Sequence, residues 1–224
     1  MVASVGAFAL LAATTAETAA AQMDEGGLSS IAVADTRPEV QALTATQSLQ
    51  LQAEVDDVLT STTGGVQISA NEISWNGGEP ILVFPLPGEG TAPESSAAAA
   101  ALEGFSLADV EEQSVDWHGC PAGSQDDNRW YCFYQHSDFK GRRLQWNWAH
   151  CSTAEWFADY GFANEASGWA NTTPNKDHWG MDINVWESAG NPDYLLWHEE
   201  PWHQVAYVGN ANNDKADYFH ACRQ

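Results

Sequence analysis

The fold reading turns on residues 131–146: Tyr131-Cys132-Phe133-Tyr134-Gln135-His136-Ser137-Asp138-Phe139-Lys140-Gly141-Arg142-Arg143-Leu144-Gln145-Trp146. Two runs rich in aromatics flank a polar turn. Strand propensity and the turn residues between them predict one strand over 129–136 and its partner over 142–148, with the bend around Asp138. Alternate residues of a strand share a face, so Trp146 and Trp148 are expected on the same side. The remaining question is the spacing: Tyr134, four residues, Phe139, one residue, then Gly141.

Outward from that hairpin, strand and turn signals continue to the C-terminus. Strands are expected over 183–187, 194–197 and 203–208, with residues 216–221 closing the chain. Residues 156–162 lead through a polar loop into Gly168-Trp169-Ala170. Short, evenly spaced strands suit an all-β sandwich over 117–224. Upstream, Thr36-Arg37-Pro38-Glu39 reads as a helix start, with a hydroxyl cap and with proline and an acid in the first turn. Val40, Leu43, Leu51, Val55, Val58 and Leu59 follow at helical spacing until Gly64-Gly65. Residues 66–68, 71–75 and 81–84 read as strands around an Asn76-Gly77-Gly78 turn. Residues 36–87 are therefore expected to form a small α+β helix-plus-hairpin unit. About fifty residues bury little surface, so such a unit is expected to dock on its neighbour or to serve as a prosegment. Residues 88–116 read as an acidic, alanine-rich linker with a short helix at 107–110.

Composition narrows the function classes. The chain has 224 residues, with 31 acids against 8 bases and a formal charge of −23. Such a surface repels phosphate backbones and argues against a nucleic-acid partner. Carboxylates are calcium ligands, so calcium stays open. Residues 1–22 read as a secretory signal peptide, although a positive n-region is missing. The apolar run near its start is too short to span a bilayer. Residues 23–35 are polar and small and are expected to be disordered. The four cysteines, Cys120, Cys132, Cys151 and Cys222, fall in the second half without a Cys-x-x-Cys pair. An exported chain spends them in two disulfides. Three connectivities are possible, of which Cys120–Cys132 with Cys151–Cys222 is preferred.

A faint internal repeat supports two four-strand units. Tyr160-Gly161-Phe162 precedes Asn164-Glu165-Ala166-Ser167, and Tyr207-Val208-Gly209 precedes Asn213-Asp214-Lys215-Ala216-Asp217. With the Tyr134, Phe139 and Gly141 spacing, these features resemble the folded hairpins of βγ-crystallin-like Greek keys. In such a hairpin the aromatic pair packs over the bend, and the glycine takes a backbone conformation closed to side chains. The fold class implied is mainly β: a βγ-crystallin-like double Greek-key sandwich at the C-terminal end, preceded by the helix-plus-hairpin unit.

More narrowly, residues 117–224 resemble the secreted actinobacterial peptidase inhibitors of the metalloproteinase-inhibitor family. The residues that carry this are Cys120-Pro121, Trp130-Tyr131-Cys132-Phe133-Tyr134, Phe139-Lys140-Gly141-Arg142, Asp159-Tyr160-Gly161-Phe162 and Asn212-Asn213-Asp214-Lys215-Ala216. The resemblance implies a secreted, extracellular proteinase inhibitor whose partner is an extracellular protease. A rigid loop would fill the enzyme's cleft at small entropic cost. The loops expected to do so lie around 188–193 and 199–202. The reactive bond transfers to no residue here, because the short disulfide that closes the family's reactive loop has no counterpart after Cys151. The alternative is a calcium- or glycan-binding module without inhibition. The calcium candidates are Asn164, Glu165 and Ser167 in one loop and Asn213, Asp214 and Asp217 in the other. The second unit departs from the pattern, since Ser188-Ala189-Gly190-Asn191-Pro192-Asp193 stands where the aromatic-x-Gly corner belongs.

Catalysis finds no support in the sequence. His198-Glu199-Glu200-Pro201-Trp202-His203 resembles a zinc-protease helix. However, its second histidine comes one place late, and Pro201 breaks the helix that would align the rings. Gly-x-Ser-x-Gly and phosphate loops are absent, and acid pairs can be drawn in any chain with this many carboxylates. Ten of the eleven tryptophans lie at or after Trp117. Core packing accounts for most such rings, and any that reach the surface suit sugars or a protein partner.

Overall fold

The computed structural model describes residues 35–104, 116–122, 130–174 and 180–223. The expected signal peptide, nearly all of the 23–35 segment and the expected helix at 107–110 lie outside these residues.

Two antiparallel sheets with a few short helices make up the fold. Pro38–Gln41 forms α1 and Ala45–Ser61 forms α2. Thr44 separates them by capping α2: its hydroxyl accepts from Gln47 N, while Gln47 Oε1 accepts from Thr44 N. This Thr-x-x-Gln capping box breaks what the apolar spacing suggested was one helix. Three strands follow, β1 (Val66–Ser69), β2 (Glu72–Ser74) and β3 (Pro80–Val83), and then helix α3 (Ala97–Glu103). The first four-strand unit is β4 (Tyr131–His136), β5 (Lys140–Trp146), β6 (His150–Trp156) and β7 (Gly168–Asn171). The second is β8 (Met181–Glu187), β9 (Tyr194–Glu199), β10 (His203–Val205) and β11 (Tyr218–Arg223).

The seven-stranded sheet has the order β1-β2-β3-β5-β4-β7-β10, and the four-stranded sheet β6-β11-β8-β9. The third strand of each unit thus pairs in the sheet that holds most of the other unit. Between the sheets, Tyr131, Phe133, Leu144 and Trp146 meet Ile183, Val185, Phe219 and Ala221. Aromatic rings dominate the packing, with Trp146 edge-on to Phe219 at 4.7 Å and Phe133 edge-on to Phe157 at 4.8 Å.

The helix-plus-hairpin unit is built into this body. β3 pairs with β5, from Pro80 opposite Trp146 to Val83 opposite Arg143, so the hairpin extends the sandwich sheet. Helix α2 lays Leu51, Val55 and Val58 into the same apolar cluster as the sandwich core, near the short 3-10 turn Phe157–Tyr160. Each such buried side chain contributes about 1.5–3 kcal/mol.

The outer face of the seven-stranded sheet is covered by the chain itself. Residues 91–104, expected to run as linker, place Ala92 and Ala99 against Ile81 and Val83. Trp117, Cys120 and Ala122 cover Cys132, Tyr134 and Ala170. Beneath this cover lies a polar layer. Arg143 is wholly buried and donates to Gln145 Oε1 and to the carbonyls of Ala92 and Pro93. Gln145 Nε2 donates to both Glu103 oxygens at 3.0 Å. Glu72 accepts from Ser96 N at 2.8 Å and from Ser69 Oγ at 2.7 Å.

Three strand expectations differ from the structure, one being the strand expected over 203–208, which ends as β10 at Val205. β5 ends at Trp146, so Trp148 leaves its face: Trp146 is fully buried, whereas Trp148 is 53% exposed. The chain bends there, and Tyr131 Oη donates to Trp148 O at 2.8 Å. β6 was not expected, because an edge strand with mostly exposed residues lacks apolar alternation.

Candidate functional site

The Tyr134–Gly141 crease forms the first corner of the sandwich. Tyr134 Oη donates to Trp117 O at 2.7 Å, and its ring stands edge-on to Phe139 at 5.2 Å. Phe139 stacks in turn on His118 at 3.8 Å. Gly141 has φ +76°, and a Cβ there would lie 2.8 Å from Gln135 Cβ. Asp138 and Phe139 also take positive φ, +58° and +57°, which makes the turn costly for residues other than glycine.

Three pairs of hydrogen bonds relate this corner to the second unit. Ser167 N donates to Tyr134 O at 2.8 Å, and Asp217 N to Trp186 O at 2.9 Å. Val208 N donates to Ser167 O as Phe157 N does to Asp217 O, both at 2.9 Å. Asn164 N reaches Ala216 O, and Asp214 N reaches Ala166 O. Trp186 therefore occupies the place of Tyr134, and Asp217 that of Ser167. The hairpin after Trp186 is the one that lacks the aromatic-x-Gly corner.

The loop at 188–193 that replaces this corner is held at both shoulders. Asp217 Oδ2 accepts from Ser188 N at 2.7 Å, and Asp193 Oδ2 accepts from Tyr218 Oη at 2.8 Å. Partial burial, the bond to Asp193 and the nearby carboxylates push the Tyr218 phenol up to about 12, so it stays a donor at neutral pH. Asp217 immediately precedes β11 and Tyr218 begins it, and Cys222 of that strand is disulfide-bonded to Cys151. The loop also folds tightly on itself, because a Cβ at Gly190 would meet Pro192 O and Tyr194 Cε2, each at 2.8 Å. Ser188, Ala189, Asn191 and Pro192 face solvent. The other expected loop, 199–202, is less accessible. Glu199 and Pro201 are buried, and Trp202 packs edge-on against Trp117 at 4.9 Å.

The cysteines pair as Cys120–Cys132 and Cys151–Cys222, one of the three connectivities open to the sequence. The first bond ties the 116–122 segment to β4, and the second joins β6 to β11.

The structure brings the two calcium-candidate loops together but gives their side chains other partners. Glu165 is ion-paired with Arg142, and the Ser167 hydroxyl donates to Gln135 O at 2.8 Å. Asp217 holds Ser188, and Asn213 bonds Asp214 at 2.5 Å. Asn164 and Asp214 adopt positive φ, as turn-forming Asn and Asp do. At Glu165 and Asp217 a calcium ion would compete with these contacts.

His198 and His203 are exposed, and His198 lies 3.4 Å from Asp182. Glu199 between them is the unexpected feature. Its carboxyl is wholly buried, with Oε1 accepting from Trp197 Nε1 at 2.9 Å and Oε2 without a hydrogen-bond partner among the described residues. Burial pushes it well above the usual carboxylate range. Glu103 behaves similarly: burial drives it up to about 8 against the opposing pull of Gln145 and Arg143. Nothing in the sequence marks either acid as buried, since only the packed structure supplies the apolar surroundings. Among the described residues, no helix is long and apolar enough to cross a membrane.

No family model, no curated protein and no solved structure matches the chain.

Proposed function

We propose that the chain is a secreted proteinase inhibitor, built on a βγ-crystallin-like double Greek key, that inserts the 188–193 loop into the cleft of an extracellular protease. The Greek-key reading draws support from the exchange of third strands, β6 and β10, between the sheets. The reciprocal hydrogen bonds of the two units support it as well. Secretion draws support from the two disulfides and the signal-like N-terminus.

The observation that carries the inhibitor reading is the double anchoring of the loop by Asp217 and Tyr218. A loop already fixed in one shape loses little conformational freedom when it docks, and that saving appears directly as affinity. Its exposed tip carries small side chains, so backbone groups can approach an enzyme cleft closely.

The test is residual activity of a thermolysin-type metalloprotease and a subtilisin-type serine protease, with the chain at micromolar concentration. The reading expects one of the two to be inhibited. Asp217→Ala should weaken that inhibition roughly tenfold by loosening the loop shoulder, while the thermal midpoint stays within a few degrees. Full activity of both enzymes contradicts the reading.

Calcium binding is the second reading, favoured by the contact between the two candidate loops. Heat on titrating millimolar calcium into chelator-treated protein supports it, and a flat titration refutes it.

A further inference from the structure

The two sheets differ in what covers their outer faces. The seven-stranded sheet is sheltered by α3 and the 116–122 segment, whereas the four-stranded sheet carries a row of three aromatic rings and a leucine that is exposed at its two ends and half-buried between them. In register across its four strands stand Trp156, Tyr218, Trp186 and Leu195. The core-facing neighbours Phe157, Phe219 and Val185 are fully buried, which places the row on the opposite, outward side. Trp156 is 41% exposed and Leu195 51%. Trp156 lies 4.8 Å from Tyr218, and Trp186 is nearly parallel to Tyr218 at 6.4 Å, so the rings form a continuous strip.

Carboxylates border the strip. Asp193 bonds Tyr218 Oη within the row, and Asp182 stands on the same face of β8 as Trp186, four residues along the strand. We propose that this face docks a cationic segment of a partner protein, whose Lys or Arg side chains lie over the indoles while their charges meet the flanking carboxylates. Ring faces attract cations through their quadrupole, and arginine or lysine stems cover apolar rings with little loss of hydration. Charge selects this occupant over a second copy, since two chains of formal charge −23 repel at close approach. The proposal rests on the open face and does not require protease inhibition.

Calorimetric titration of the whole chain tests it, with three hexapeptides that alternate threonine with lysine, serine or glutamate, and with a chito-oligosaccharide. The lysine peptide is expected to bind, and more weakly as salt rises. Trp156→Ala and Leu195→Lys, both at exposed positions, should each weaken it about tenfold with the thermal midpoint nearly unchanged. The inference is overturned if the serine peptide binds equally well, if the oligosaccharide binds and the lysine peptide does not, or if neither variant alters binding. Self-association of the chain that Trp156→Ala abolishes would also overturn it, by assigning the face to a second copy.

Discussion

At the scale of single residues, the fold depends on positions where one side chain settles a local conflict. Gly141 combines a positive φ with a contact too close for any Cβ. Gly141→Ala should therefore cost about 2–4 kcal/mol in chemical denaturation, and an unchanged midpoint would mean that the crease is not strained. Glu103 sets a pH dependence. Its carboxyl titrates near 4.5 when exposed and near 8 when folded, so between those values the native state keeps a proton that the unfolded chain has lost. The stability this proton confers is complete below the lower value. It is lost as pH rises through the window, at roughly 1.4 kcal/mol per unit. Glu103→Gln should remove about one proton's share of that slope, and an unaltered slope would place the proton elsewhere. The contrast between the two residues explains what the sequence could reveal. Gly141 announced itself because its spacing from two aromatics is local, whereas nothing in Ala101-Leu102-Glu103 indicates that Gln145 and Arg143 lie beneath it.

At the scale of elements, strands with a buried face were legible and those without were not. The strands containing Phe133, Ile183 and Phe219 alternate or cluster apolar residues and were placed within a few positions. β6 carries Cys151, Ser152 and Thr153 at an edge and gives no such signal. Helix α3 was hidden for another reason: alanines that suit a linker equally suit close approach to Ile81 and Val83. The 188–193 loop was marked from the sequence as a departure from a pattern and, by resemblance, as one of two inhibitory-loop candidates, but its anchoring by Asp217 and Tyr218 needed the fold. The disulfides also act at this scale. Cys151–Cys222 closes a span of 71 residues and Cys120–Cys132 one of 12. In the loop-entropy account, breaking the long one costs about 4 kcal/mol and the short one about 3. Paired Cys→Ser variants compared in guanidinium measure both, and a reversed order would show that the short bond acts through the 116–122 cover it holds on the sheet.

At the scale of the whole molecule, residues 35–87 and the sandwich share one core. Leu51, Val55 and Val58 belong to the same apolar cluster as Trp146 and Phe219, and β3 continues the sheet through β5. Local sequence could not reveal this, because β3 and β5 are separated by more than fifty residues and their pairing leaves no local trace. The 188–193 loop is tied to this body, since its anchors Asp217 and Tyr218 lie just before and at the first residue of β11, an inner strand of the four-stranded sheet. Differential scanning calorimetry of the intact chain tests the shared core most directly. One transition whose van't Hoff enthalpy equals the calorimetric enthalpy is predicted; two resolved transitions, one for the helix-plus-hairpin unit and one for the sandwich, would contradict it.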